Sequence, residues 1–210
     1  MSLDPAAVLP ESIADRLRAS IIAQQDAPGS TITESAVALR FGVARPTARI
    51  AIERLVADGI LRREAHHAAR VPELSRDDVV DLYDNRAIVE SAALAALRSI
   101  PAAALDAHRA ILDTEDFAEH DIRFHRALVA GQPSPRLSRM HDLLMGEIEL
   151  CIGQVQAAQL LTAAQVAAEH QGILDAVTSG DSAAAARLTA EHIAHARDAL
   201  LTHLDRTSNG

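Results

Sequence analysis

The chain has 210 residues, is 49% hydrophobic and carries a formal net charge of −9. That length holds one large domain or two small ones, and with aromatics at only 2% the core must be mostly Ala, Leu, Ile and Val. No apolar run reaches the ~18 residues of a membrane span, no basic-then-apolar leader opens the chain, and the single cysteine, Cys151, excludes an internal disulfide, so a cytoplasmic protein without a membrane partner is expected.

The charge is uneven. Residues 1–74 hold 9 Arg and 9 acidic residues, whereas residues 75–210 hold 11 Arg and 20 acidic residues. An acidic whole argues against nonspecific nucleic-acid binding, but a neutral head can still concentrate arginines on one face.

The first ~75 residues read as three short helices and a hairpin. Ile13, Leu17, Ile21 and Ile22 form an apolar stripe at helical spacing, ended by Pro28-Gly29. Thr33-Glu34 opens a second helix that runs to Phe41, and Gly42 starts a tight turn. A third helix over 45–58 faces Ala48, Ala51, Ile52 and Leu55 inward. Residues 60–63 and 69–71 are expected to pair as two strands around a His66-His67 tip. Helix, helix, short turn, helix and β-wing is a winged helix-turn-helix.

Beyond a linker at Pro72 to Ser75 only helices are expected, near 76–99, 102–115, 118–130, 135–158, 163–179 and 181–204. Six such helices make an antiparallel bundle. The fold class is therefore mostly α, with a head over 1–74 and an all-α bundle over 75–210.

The bundle carries four residues that belong together. In HDIRFHRALV, Asp121 and His125 are four apart and share one helical face. His170 and His192 flank the Ser179-Gly180-Asp181 break, ten residues before Gly180 and twelve after it, so a helical hairpin brings them to similar height. One carboxylate and three imidazoles suit a divalent transition metal, Zn²⁺ or Ni²⁺ foremost, at one ion per chain. The alternative is a hydrogen-bonded polar cluster without metal. His108, His120, His141 and His203 read as surface or packing residues, and His195 as a partner of His192 or an effector contact. Arg86 can clamp a carboxylate or form a surface pair with Glu90 one turn away. Tyr83 lines the same cavity or simply packs.

The stretch PGSTITESAVALRFGVARPTARIAIERLVADGIL resembles the GntR family of bacterial transcription regulators, through Pro28-Gly29, Glu34, Ala38, Phe41-Gly42-Val43, Arg45, Arg49, Ala51, Ile52, Arg54-Leu55 and Gly59. The C-terminal half resembles the FCD ligand-binding domain of the FadR-like subfamily, on Asp121-x-x-x-His125, His170, His192 and Arg86, and six helices look like its shorter, VanR-type branch. The resemblance implies that Arg45, Thr47 and Arg49 read bases in double-stranded operator DNA, with Ser35, Arg62, Arg63 and His66 on phosphates or a groove. It implies a homodimer, an inverted-repeat operator, and a small organic acid as effector near Arg86, Tyr83 and His195. The chain departs from the family at Ala44, where Ser or Thr is usual, at the Pro46-Thr47 order, at Ile50 in place of Glu, and in a wing without its tip glycine. The competing function is a metalloenzyme, hydrolase-like, that works through Asp121, His125, His170 and His192; a metal-stapled interaction module is the third.

Overall fold

The computed structural model describes residues 10–208. The chain divides into two compact units, residues 1–74 and 75–210. Among the described residues no helix is long and apolar enough to cross a membrane.

In the first unit, α1 (Pro10–Ile22) buries Ile13, Leu17 and Ile21. After β1 (Thr31–Ile32), α2 (Glu34–Phe41) starts at Thr33, whose hydroxyl accepts from the Ala36 amide at 3.1 Å. Gly42 closes α2 at φ +66°, in the left-handed region that glycine enters without steric cost. Then α3 (Arg45–Ala57) packs Ala48, Ala51, Ile52 and Leu55, each fully buried, into the head core. Its N-cap, Ala44, has the extended backbone of a capping residue and no side chain to cap with. Ala44→Ser should therefore raise the head's stability by about 1 kcal/mol, read as a shift in its urea midpoint. An unchanged midpoint would mean that water already satisfies the first-turn amides.

The wing differs from the expected hairpin. The strand β2 (Ala69–Arg70) pairs antiparallel with β1, Thr31 opposite Arg70 and Ile32 opposite Ala69, a partner that two residues could not reveal by periodicity. The 60–63 segment contributes only one bridge, Arg62 to Arg70, with amide-to-carbonyl distances of 2.9 and 2.8 Å. The cause is packing. Ile60 and Leu61 are both buried, which strand alternation forbids for neighbours on a one-sided sheet. The Leu61 amide bonds back to Leu55, leaving the ladder short. His66, at the tip, takes φ +65°, a backbone that an L side chain enters at a cost of about 1–2 kcal/mol.

The second unit holds α4 (Arg76–Ala96), α5 (Ala102–Leu112), α6 (Ala118–Ala130), α7 (Pro135–Ala157), α8 (Ala163–Thr178) and α9 (Ser182–Ser208). Ser75 with Asp78, and Thr162 with Gln165, form capping boxes that fix where α4 and α8 begin. The expected ends move inward for α4, where the backbone is already extended at Leu97, and for α5, and outward for α9. Helix α4 packs along α9 and also meets α6 and α7; α8 lies against α5 and α9. At one end an apolar cluster that includes Leu94, Phe124, Leu128, Ile173 and Ala185 fills the core. One turn along from Leu128 and Ile173, the inward positions become polar: His125 on α6 and His170 on α8. The bundle thus carries a buried polar layer beside its apolar one.

Candidate metal centre and nucleic-acid face

Asp121 and His125 project from one face of α6, His170 from α8 and His192 from α9, across a turn in which Gly180 sits at φ +76°. All four are buried, and one ligand atom from each lies within 4.8 Å of the others. His125 Nε2 and His192 Nε2 are 3.1 Å apart. Asp121 Oδ1 is 3.1 Å from His170 Nε2 and 3.7 Å from Nε2 of both His125 and His192.

The outer nitrogens explain why these rings face inward. His125 Nδ1 lies 2.6 Å from Glu90 Oε2, and His192 Nδ1 lies 2.6 Å from Glu169 Oε2. When each Nδ1–H donates to its carboxylate, each Nε2 carries a lone pair. Two lone pairs at 3.1 Å repel unless a proton or a cation lies between them. A carboxylate behind a ligating imidazole is the usual support of a metal site. His170 is held otherwise: its ring stacks on Phe124 at 3.8 Å and 10°, and neither of its buried nitrogens has a hydrogen-bond partner. The Asp121 oxygen approaches Nε2 without hydrogen-bond alignment. An orphaned, inward-facing imidazole nitrogen fits a metal ligand.

The electrostatics agree. Burial pushes the His170 imidazole down to about 3, so it stays neutral and keeps its lone pair. Burial likewise lowers His192, against the pull of Glu169. Burial opposes charge on His125 too, but the Glu90 and Asp121 carboxylates outweigh it and hold that imidazole above its usual range. Burial would raise Asp121, yet His125 and His170 keep it well below the ordinary carboxylate range. The centre therefore offers one anion and neutral imidazoles once the His125 proton leaves.

Three supporting residues escaped the sequence reading. Glu90 figured there only as a surface partner of Arg86. It is buried and accepts from Arg86 Nε at 2.7 Å and from His141 Nε2 at 3.1 Å, as well as meeting His125. The expected surface pair is thus an interior one. His141, read as surface or packing, is buried on that carboxylate. Glu169 was not singled out. The available signals were a lone acid in the apolar run AIVESAALAAL and an acid directly before His170.

Beside the four residues lies a narrow cavity with about 260 Å³ of atom-free space, counting its mouth. Tyr83, Arg86, Asp121 and His192 line it. The Tyr83 hydroxyl and Arg86 Nη2 are buried there without a hydrogen-bond partner. His195 lies outside the lining: its ring is half-exposed and its Nδ1 meets Glu169 Oε1 at 2.6 Å. His108, also buried, bonds Gln171 at 3.1 Å.

In the head, Arg45 and Arg49 are exposed one turn apart at the start of α3, and Thr47 between them is half-buried. Arg49 Nε reaches Glu53 at 2.7 Å along the helix. Ser35 is exposed in the first turn of α2, and Arg62 and His66 are exposed on the wing. The start of the second helix of the motif is the end that a helix-turn-helix offers to a major groove.

Comparison with known proteins agrees with both halves. Residues 9–71 match the bacterial regulatory proteins of the gntR family, and residues 81–195 match the FCD domain. A relative from Paenarthrobacter nicotinovorans, named as a D-xylose utilization operon transcriptional repressor, is 28% identical over 184 residues, covering 82% of this chain and 80% of its own. An HTH-type transcriptional regulator in an unstable DNA locus of Streptomyces ambofaciens is 27% identical over 207 residues, covering 90% and 79%. Among solved structures, a GntR transcriptional regulator from Rhodococcus sp. RHA1 superposes with a TM-score of 0.76 at 25% identity, over 92% of this chain and 97% of that one. The E. coli McbR/YncC structure has the same fold, with a TM-score of 0.76 at 17% identity over 94% and 99%. Family and relatives alike are transcriptional regulators, which overturns the metalloenzyme alternative. The chain belongs to the GntR family of DNA-binding transcription regulators, with an FCD domain following its winged helix-turn-helix.

Proposed function

We propose that this regulator is a metal-containing homodimer whose grip on an inverted-repeat operator answers to a small carboxylate. The observation that carries the reading is the buried meeting of Asp121, His125, His170 and His192, with two imidazoles braced by Glu90 and Glu169 and a third whose ring nitrogens have no hydrogen-bond partner. These four would hold one Zn²⁺ or Ni²⁺ ion, which supplies fixed positive charge in a bundle of net charge −9. The cavity next to it takes the effector. Arg86 Nη2 and the Tyr83 hydroxyl are its unsatisfied donors, and a carboxylate is the ligand that satisfies both. His195, on Glu169, sits at the exposed side of the His192 support and bears on the effector through it. Residues 1–74 act as the DNA-binding unit and residues 75–210 as the sensing and dimerising unit.

On DNA, Arg45, Thr47 and Arg49 read base edges, while Ser35, Arg62 and His66 contact phosphates or the adjacent groove. Two equivalent recognition helices in a two-fold dimer require two half-sites of opposite sense. Arg45→Ala and Arg49→Ala should each weaken operator binding roughly five- to hundredfold, the range for losing one bidentate arginine–guanine contact. The Arg49 loss should be the smaller, because that guanidinium must first leave Glu53. A gel shift on DNA upstream of the chain's own gene measures both. Equal binding of wild-type protein to that fragment and to random DNA at physiological salt would defeat the operator reading. Ligand coupling is tested in the same assay: the active acid should change operator affinity five- to 150-fold, and operator should change acid affinity by the same factor.

A further inference from the structure

We infer that the cavity beside Arg86 selects a monocarboxylate with a short aliphatic body, and discriminates against dicarboxylates and distal hydroxy acids. This rests on the reading of the second unit as the effector domain and narrows it.

The cavity is two-sided in its chemistry. Its polar side comes from α4, where Tyr83 and Arg86 stand three residues apart and so face the same way. Both are 1% exposed, and the Tyr83 hydroxyl and Arg86 Nη2 have no partner. Arg86 Nε is already committed to Glu90, so the cavity sees one remaining edge of the guanidinium. The other two polar residues of the lining are engaged elsewhere: Asp121 faces the three imidazoles, and His192 is held by Glu169 and faces His125. Two orphaned donors on one face of α4, both from residues that line the cavity, call for an acceptor group with two lone-pair-bearing oxygens, and a carboxylate offers both.

The remaining lining is apolar without exception: Phe117 ahead of α6, Ile152 and Val155 on α7, Leu161 in the α7–α8 connection, Val166 on α8 and Ala196 on α9. None of these side chains can donate or accept. A second carboxylate at the end of the ligand that lies away from Arg86, Asp121 and His192 would be buried against these apolar side chains uncompensated, and a hydroxyl there would lose its water without gaining a partner. A methylene chain loses nothing there and gains by leaving water. The enclosed part of the cavity is well under the roughly 260 Å³ that includes its mouth, which limits that chain to a few carbons.

Calorimetry on the full-length, metal-loaded protein tests this with acetate, propionate, butyrate, isovalerate, 3-hydroxybutyrate and succinate. From acetate to butyrate the affinity should rise about fourfold per methylene, the equivalent of ~0.8 kcal/mol per buried CH₂. The added hydroxyl of 3-hydroxybutyrate should weaken binding at least fivefold relative to butyrate, and the second carboxylate of succinate at least tenfold. Leu161→Ala, in a connecting segment rather than a helix, removes part of the apolar wall. It should cut the isovalerate-to-acetate affinity ratio at least threefold, with metal content measured alongside. A flat acetate-to-butyrate series, or succinate or 3-hydroxybutyrate within twofold of butyrate, overturns the inference and leaves the carboxylate-effector reading standing. If no acid of either kind binds or alters operator affinity, that reading falls together with the inference.

Discussion

Arg86→Met should destabilise the helical unit by about 3–5 kcal/mol, which few single substitutions exceed. The guanidinium is 1% exposed and the Glu90 carboxylate fully buried, with 2.7 Å between them. Methionine fills much of the volume, so the cost is mainly electrostatic: Glu90 keeps its charge in the interior with only His125 and His141 to answer it. Burial alone would raise the Glu90 carboxyl, and Arg86 and His125 together hold it well below its usual range. Removing Arg86 takes away the larger of the two charge attractions. Glu90→Gln should be comparably damaging, because it strands the arginine instead. The double variant should be markedly less unstable than the sum of the two, since neither charge is then left alone. Urea unfolding of all three, followed by helix signal, measures this. The surface-pair reading of Arg86 and Glu90 gives under about 1 kcal/mol for the same substitution. An Arg86→Met loss that small would show that water reaches the pair and that its enclosure is wrong.

The contrast shows what could be read from the amino acids alone. Helices were legible because their apolar positions recur at the helical period and because Ser75, Pro101, Gly131 and Gly180 punctuate them. The Asp121, His125, His170 and His192 set was legible for the same reason. One pair sits at i,i+4, and the other lies at matched distances from a turn, so regular geometry alone carries them to one place. Glu90, Glu169 and His141 obey no such local rule. What makes Glu90 a support for His125 is that α4 packs across α6, a fact of tertiary packing. The i,i+4 spacing of Arg86 and Glu90 announced the pair but not its burial, and burial decides whether it is worth tenths of a kcal/mol or several. The wing failed for a related reason. Its residues have strand composition, but Ile60 and Leu61 both go to the core, and the strand Ala69–Arg70 takes its register against Thr31–Ile32, far upstream in the sequence.

Loss of the bound ion should be the other large effect. Purified protein should carry about one divalent ion per chain. Stripping it with a chelator should lower the melting temperature on the order of 10 °C, since an ion at about a thousand times its Kd adds ~4 kcal/mol to the folded state and 1 kcal/mol moves a chain of this size by ~2–4 °C. His170→Ala and His192→Ala should each abolish that metal-dependent increment. The increment is the quantity to compare, because His170→Ala also removes the ring stacked on Phe124 and lowers the metal-free melting temperature by itself. Glu169→Gln offers a finer gradation. It leaves all four ligands in place and weakens only the anchor of His192, so it should reduce metal affinity 10- to 100-fold without abolishing it. Elemental analysis and thermal shift with added Zn²⁺ or Ni²⁺ read all of these. Wild-type protein that arrives metal-free and gains no stability from either ion would leave Asp121 and the three histidines as a polar cluster bridged by the His125 proton. The 3.1 Å approach of His125 and His192 would then be a hydrogen bond between an imidazolium and an imidazole.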